Sequence, residues 1–122
     1  MTHRSKRAKG NRLEAKFSQM IREKGLDDTA RRMPGSGAFE GFKTDIHTKL
    51  PFSFELKNSE TVKLWQWWKQ ACDQATIAKP PVLVTSGNFR PMLAIMDVST
   101  FLNLLREIQD LEEMLNKLKN NT

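Results

Sequence analysis

The sequence predicts an α/β domain followed by one long C-terminal helix. Two segments carry apolar residues at helical spacing, one segment alternates apolar with polar residues, and two short apolar runs lie beyond it. A chain of 122 residues is long enough for one compact core of modest size. We therefore expect one domain and no second catalytic unit.

The first element is an amphipathic helix within "NRLEAKFSQMIREKG", which Gly25 is expected to end. Asn11 can cap its first turn, and Glu14, three residues later, could complete a capping box. The apolar residues that recur at i, i+4, i+7 and i+8 are Leu13, Phe17, Met20 and Ile21.

A loop is predicted next, in "DDTARRMPGSGAFEGF". The segment is rich in glycine and contains one proline, which favours turns over regular structure. Loops of about a dozen residues are uncommon in small domains and are often functional.

Residues 43–57 are predicted to form a hairpin that bends at "TKLP". In its second strand, Glu55 and Lys57 share one face with Ser53, whereas the apolar side chains of "PFSFELK" point to the other face. If the bend is centred near Leu50, Asp45 lies opposite Glu55, with Cβ atoms roughly 4.5 to 5.5 Å apart. A hard divalent cation such as Mg²⁺ would relieve the repulsion between the two carboxylates.

A second interpretation of the same hairpin stays open. Asp45 could be turned away, so that Glu55 forms a surface ion pair with Lys43 or Lys57. Spacing alone does not decide between a metal site and such a pair.

The next element is a helix that Asn58 or Ser59 would cap and "AKPP" would end. Trp67 lies off its main apolar face. The residues predicted on the main face are Val62, Trp65, Trp68 and Cys72. No second cysteine is available for a disulfide or a cysteine-based zinc site, so a buried, inert thiol is expected.

Two strands, "VLVTS" and "MLAIMD", follow around a turn in "GNFRP". Both are strongly apolar, which is typical of strands in the middle of a sheet that is covered on both faces.

The C-terminal segment, residues 98–122, is helical in pattern. Its apolar residues alternate spacings of three and four, which is heptad spacing: Phe101, Leu104, Ile108, Leu111, Leu115 and Leu118. This stripe could pack on its own domain or form a dimer interface, and the sequence leaves both open.

The net charge of +6 is concentrated near the N-terminus. Residues 1–10 are predicted to be a basic flexible tail, and the cations assigned to DNA binding are Arg4, Lys6, Arg7, Lys9, Arg12, Arg31, Arg32 and Lys43. Such clustering favours a polyanion, above all nucleic acid, although anionic membranes attract basic tails too. We find no apolar stretch that would be a membrane span or a secretory signal, which predicts a cytoplasmic protein.

The pattern Asp45…Glu55-Leu56-Lys57 resembles the signature of the PD-(D/E)xK nuclease superfamily, with Thr44 in place of the proline. The order of "RLEAKF", "RRMPGSGAFEGFKTDI" and "FSFELK" is similar to the Hjc-type Holliday junction resolvases of archaea and phages. The resemblance covers about residues 10–74. It implies a restriction-endonuclease-like fold over residues 11–97, in which helices flank a central mixed sheet, with residues 98–122 as an extra helix.

The resemblance also implies the roles of individual residues. Asp45 and Glu55 would bind the metal together with the carbonyl of Leu56, and Lys57 would be the catalytic lysine. Glu14 would reach the metal from the first helix, and Ser36 would lie near the scissile phosphate, although Glu14 could instead serve the capping box and Ser36 plain turn chemistry. The expected cofactor is Mg²⁺, with Mn²⁺ as a plausible substitute. Trp67, Gln74 and His47 are further candidates for DNA contacts.

The implied activity is that of a metal-dependent endodeoxyribonuclease. It would act as a homodimer in the cytoplasm of a prokaryotic or phage-infected cell, resolving four-way DNA junctions by paired nicks that leave 5′-phosphate and 3′-hydroxyl ends. Two alternatives remain. One is a superfamily nuclease that cuts flap, nicked or duplex DNA, and the other is a non-catalytic dimeric DNA-binding protein.

Overall fold

The computed structural model describes residues 3–33 and 46–121, with the side chains of residues 3–8 outside that description. Within these residues the helices are α1 (His3–Glu23), α2 (Leu64–Gln74) and α3 (Val98–Asn120). The strands are β1 (Arg31–Arg32), β2 (Ile46–His47), β3 (Ser53–Asn58), β4 (Pro81–Ser86) and β5 (Leu93–Ile95).

Three strands form a mixed sheet in the order β3-β4-β5. β3 runs parallel to β4, and β4 runs antiparallel to β5, whereas β1 and β2 form a separate antiparallel ladder. The predicted α/β class with a mixed sheet and an extra C-terminal helix is therefore confirmed. None of the helices among the described residues is long and apolar enough to cross a membrane.

Helix α1 begins at His3, so Asn11 lies inside the helix and is not its N-cap. The predicted capping box is wrong, because the basic residues and alanine that precede Asn11 are themselves good helix formers and continue the helix. The C-terminal end agrees with the prediction. Gly25 adopts a left-handed φ of 71°, and its N–H donates to the carbonyl of Arg22 at 3.0 Å. The backbone of residues 3–10 is thus helical, and their separation as a tail stays a prediction.

The core lies between α1 and the sheet. Phe17 of α1 meets Phe54 of β3 edge to face, with ring centroids 5.0 Å apart. The buried residues of this cluster are Leu13, Ile21, Ala30, Ile46, Phe54, Leu56, Val82 and Val84. Because the apolar face of α1 and alternate residues of β3 and β4 fill one cluster, β3 is anchored firmly in the sheet.

The predicted hairpin is wrong where the structure describes it. β2 pairs with β1, placing Arg31 opposite His47, and β3 pairs with β4, placing Glu55 opposite Leu83. The observed strand pairing therefore does not support the predicted register, in which Asp45 lies opposite Glu55. Asp45 itself lies outside the described residues. The physical reason is non-local. The carboxylate of Asp27 binds the chain directly after β2 and draws it towards the end of α1.

Strand β3 is covered on both faces rather than half-buried. Ser53 and Glu55 are buried along with the apolar residues between and beyond them, and only Lys57 and Asn58 are partly exposed. Both α1 and α2 pack against β3. The face of β3 that carries Ser53 and Glu55 is therefore inside the protein over most of its length.

Helix α2 buries a different face from the predicted one. Trp67 and Ala71 are buried, whereas Trp65 is 78% exposed and Cys72 is exposed. Trp67 is thus a core residue, and the assignment of Cys72 as a buried thiol is wrong. Three tryptophans within four positions made the apolar face ambiguous. Neither Asn58 nor Ser59 caps α2, because the helix begins directly after Lys63, whose side chain forms no capping hydrogen bond.

The remaining elements follow the prediction in kind. β4 is the central strand of the described sheet and its four middle residues are buried, but β5 lies at the end of that sheet with Leu93 exposed, so of these two strands β4 alone is covered on both faces. α3 begins after Asp97, whose carboxylate accepts hydrogen bonds from the N–H of Thr100 at 3.1 Å and from its hydroxyl at 2.7 Å.

Candidate active site

Strand β3 carries the three consecutive residues of the candidate site, Glu55, Leu56 and Lys57. Their backbone is held by parallel pairing with β4, in which Lys57 lies opposite Thr85. The buried hydroxyl of Thr85 donates to the carbonyl of Lys57 at 2.8 Å. Leu56 is buried in the core cluster. The strand therefore presents Glu55 and Lys57 from a rigid base, as a reaction that depends on positioning requires.

Glu55 and Lys57 contact each other. Lys57 Nζ lies 3.4 Å from Glu55 Oε1, and the two side chains are 31% and 7% exposed, respectively. Residues two apart on a strand share a face, which explains the contact. The ion pair left open by the sequence is thus present, but its acid is buried rather than at the surface. A buried carboxylate beside a partly exposed ammonium can bind a cation and order a water.

Glu14 approaches from α1, in the interior of the helix. Its Oε2 lies 4.0 Å from Nε of Arg32 on β1, and its side chain is mostly buried. Its main-chain carbonyl accepts a hydrogen bond from the buried hydroxyl of Ser18 at 2.8 Å. Because α1 packs against β3, Glu14 extends from an element adjacent to the strand that carries Glu55. Arg32, assigned to DNA from the sequence, meets this acid.

Several predicted site residues fall outside the described structure. These are Asp45, Ser36 and Lys43, together with the side chains of Arg4, Lys6 and Arg7. Among the other predicted DNA contacts, Arg12, Arg31 and His47 are exposed, and Lys9 is half-buried. Gln74 is half-buried, and within the described ranges its buried Oε1 has no hydrogen-bond partner.

A divalent metal would need oxygen ligands at this site. Residues 3–33 and 46–121, which exclude Asp45, contain no group of three or more Asp, Glu, His or Cys side chains that could hold a metal. The carboxylates of Glu55 and Glu14 are the donor type that Mg²⁺ prefers. Both are held by secondary structure and are mostly removed from water. The donor chemistry therefore fits a hard cation, and Asp45 would have to supply a further ligand.

A cleft of about 650 Å³ opens beside Lys57. Lys9 of α1 and Lys63, directly before α2, line it together with Trp67 at its inner side. The cleft is lined by three lysines and one carboxylate, Glu60, and this excess of cations suits a phosphate backbone. Sequence reasoning missed Lys63. Its position between "LKNSE" and the tryptophan-rich helix was the only available signal.

Asp27 organises the approach to β2 and was also missed. Its Oδ1 accepts from the N–H and hydroxyl of Thr29 at 2.9 and 2.6 Å, and its Oδ2 accepts from the Thr48 hydroxyl and the Lys49 N–H, both at 2.7 Å. The Thr29 hydroxyl first, and then the bonds from Lys49 and Thr48, hold the pKa of Asp27 well below its usual range. The motif "DDT" after a helix is a turn signal that could have indicated this role.

Comparisons with known proteins place the chain in a family. The model of the family described as "Phage putative PDDEXK endonuclease" matches residues 5–121. The match includes α3, so the C-terminal helix is part of this family's sequence pattern. The resemblance to junction resolvases, in contrast, covered only about residues 10–74 and left this helix out. Searches of curated proteins and of solved structures find no match. With a mixed α/β fold that carries Glu55-Leu56-Lys57 on strand β3, the chain belongs to this family of phage PD-(D/E)xK endonucleases.

Proposed function

We propose that the protein is a Mg²⁺-dependent endodeoxyribonuclease that resolves four-way DNA junctions as a homodimer. The observation that carries the proposal is the buried carboxylate of Glu55, 3.4 Å from the ammonium of Lys57 on a rigid strand. A family of endonucleases supports the nuclease part of the proposal. The order of motifs shared with junction resolvases supports the substrate.

Each residue has a defined part in the proposed reaction. Asp45, Glu55 and the Leu56 carbonyl would hold the cation, with Glu14 as a further ligand. A bound Mg²⁺ would supply charge stabilisation at the phosphate and lower the pKa of a bound water. Lys57 orients the attacking water or takes its proton. The water oxygen forms a bond to phosphorus as the bond to the 3′-oxygen breaks, which leaves a 5′-phosphate and a 3′-hydroxyl.

In the proposed function, cationic side chains bind the phosphates of the DNA, and recognition of individual bases is not required. Lys9 and Lys63 line the cleft beside Lys57, and Arg12 is exposed on α1. Contacts from such cations to phosphates position nucleic acid without reading its sequence. Selectivity for a branched substrate then has to come from the spacing of two sites in a dimer. Ser36 and Lys43 are proposed as additional contacts near the scissile phosphate.

A second candidate is a nuclease of the same superfamily that acts on flap, nicked or duplex DNA. It would use the same residues, and the family match favours it as much as junction cleavage. A non-catalytic DNA-binding protein is the third candidate. Glu55 is an argument against it, because burying a carboxylate costs free energy that a purely structural strand could avoid with an apolar residue.

The test compares cleavage of a labelled four-way junction, a flap, a nicked duplex and an intact duplex of equal length, with Mg²⁺ and with EDTA. We expect metal-dependent, symmetric nicking of the junction above the other substrates. Asp45→Asn, Glu55→Gln and Lys57→Ala should each reduce cleavage by about 100-fold or more while junction binding is retained. Preference for a linear or flapped substrate would reassign the activity to the second candidate. Metal-dependent cleavage retained by all three variants would refute the mechanism.

A further inference from the structure

Helix α3 presents an apolar stripe that its own domain leaves uncovered. None of its residues from Val98 to Asn120 is buried. Leu104 is half-buried, and the other central apolar side chains of the stripe are 42% to 65% exposed: Phe101, Leu105, Ile108, Leu111, Met114, Leu115 and Leu118. A contiguous exposed patch of this kind on a soluble domain marks an interaction surface. Packing on its own sheet, one of the two options left open by the sequence, is not seen in the described part of the chain.

The stripe has the geometry of a two-stranded coiled coil. Phe101, Ile108 and Leu115 occupy one core position of the heptad, and Leu104, Leu111 and Leu118 occupy the other. The repeat is sustained over about three heptads, the length at which such a pattern indicates helix pairing. The opposite side of the helix is polar and solvated. Arg106 Nε pairs there with Asp110 Oδ1 at 3.3 Å, and both side chains are more than half exposed.

Charge distinguishes the two possible directions of pairing between identical helices. In a parallel pair, the residue directly before Phe101, Ile108 or Leu115 of one copy faces the residue that lies five positions later in the sequence of the other copy. Glu107 would then lie beside Glu112 of the second copy, and the same clash would occur twice in the dimer. Like charges at these positions oppose pairing, so the parallel arrangement is disfavoured.

The antiparallel arrangement removes this clash and fills every core layer. With Ile108 set against Leu111 of the second copy, Phe101 falls against Leu118 and Leu104 against Leu115. The residue numbers of each facing pair have the same sum. This one register therefore pairs all six core residues of each copy with core residues of the other copy. The flanking acids face apolar neighbours, Glu107 beside Met114 and Glu112 beside Leu105, where their stems can pack while the carboxylates reach water.

We propose that α3 pairs antiparallel with α3 of a second copy, in the register that places Ile108 against Leu111. The proposal deepens the homodimer of the proposed function by naming its interface. It also sets the spacing of the two nuclease domains. Each domain joins α3 at Asp97, so an antiparallel pair holds the two attachment points roughly 35 to 40 Å apart along the helices, whereas a parallel pair would hold them side by side.

End-specific cysteines test the direction of pairing. Phe101→Cys and Leu118→Cys are made separately in a Cys72→Ser background, since Cys72 is exposed and would otherwise react. In the proposed register, residue 101 lies about 25 Å from its own counterpart but adjacent to residue 118 of the second copy. Each variant alone should therefore give no disulfide-linked dimer on mild oxidation, whereas an equimolar mixture should. Cross-linking of either variant alone, or none in the mixture, would overturn the proposal.

A charge at the centre of the stripe tests the interface itself. Leu111→Asp should raise the dimer dissociation constant by roughly 100-fold or more in sedimentation experiments, because it places two carboxylates in the core layers. Gln109→Asp, a new carboxylate two residues away on the polar side, is the matched control and should stay dimeric. Because α3 has no buried residue, both variants should keep the thermal transition of the nuclease domain. Equal dissociation constants for the two variants would also refute the proposal. Neither assay uses DNA cleavage, so a failed dimer and a failed nuclease assignment remain distinguishable.

Discussion

The contact between Glu55 and Lys57 allows a test that separates structure from catalysis. The perturbation is a double-mutant cycle with Glu55→Gln, Lys57→Met and the double variant. Each single change breaks the ion pair, and the double change removes both charges while keeping side chains of similar length. If the pair serves only the fold, the double variant should regain whatever the single variants lose.

The size of the coupling can be worked from the geometry. Two unit charges 3.4 Å apart attract by about 1 kcal/mol in bulk water and by roughly 5 kcal/mol at an effective dielectric constant near 20. Glu55 is buried, but the Lys57 ammonium side is about one-third exposed, so solvent screens the pair from one side. We expect a coupling free energy of about 1 to 3 kcal/mol.

The assay is urea unfolding of all four proteins in EDTA, so that metal binding does not contribute. The exposed pair Arg106–Asp110 is the control, because its 3.3 Å separation is nearly the same while its side chains are 67% and 52% exposed. Its cycle, with Arg106→Met and Asp110→Asn, should give about 0.3 to 0.5 kcal/mol. Burial would then account for the difference between the two pairs.

Cleavage is measured on the same proteins. We expect both single variants and the double variant to lose about 100-fold or more, even where the double variant regains stability. Recovery of cleavage by the double variant would refute a chemical role for Glu55 and Lys57. A coupling as small as that of the control pair would refute the inference that burial strengthens their contact.

Two further predictions concern Asp27 and the cationic cleft. Asp27→Asn should lower the urea midpoint at pH 7, since the charge accepts four hydrogen bonds, including one from the Lys49 N–H. The bonds depress the pKa of Asp27, so its contribution is complete above about pH 5 and declines progressively as the pH falls from the ordinary aspartate pKa towards the lowered one; a difference between the wild-type and variant midpoints that stays constant from pH 7 down to about pH 2 would contradict this. Lys9→Gln and Lys63→Gln should each weaken junction binding and reduce its salt dependence by about one counterion, as measured by anisotropy across a salt series. Lys117→Gln, outside the cleft, is the control, and an equal effect there would argue against the cleft as the binding surface.

Local periodicity predicted the three helices and the strands β3, β4 and β5, but not β1, which lies in the segment predicted to be a loop. The apolar spacing correctly placed Leu13, Phe17 and Ile21 on the core face of α1, whereas Met20 is exposed, and the heptads predicted α3 over almost its full length. Alternation in "PFSFELK" correctly placed Glu55 and Lys57 on one side of a strand. These features depend on the repeat of the backbone itself, which is why residue order alone reveals them.

Strand partners and burial required the tertiary structure. A period of two says which side a residue takes but not which strand lies beside it, so the hairpin register was wrong and the parallel pairing of β3 with β4 was not foreseen. Among three neighbouring tryptophans, only the position of α2 against β3 and β4 decided that Trp67 is buried.

Residue order alone reveals the reactive groups of this protein: a carboxylate and an amine two residues apart on a strand, in a basic chain with a heptad helix. The folded chain was needed to show that the carboxylate is buried, that Lys9 and Lys63 share a cleft with Lys57, and that the apolar stripe of α3 is largely exposed. The physical reason is the same in each case. Burial and proximity depend on contacts between residues far apart in the chain, and no local pattern encodes them.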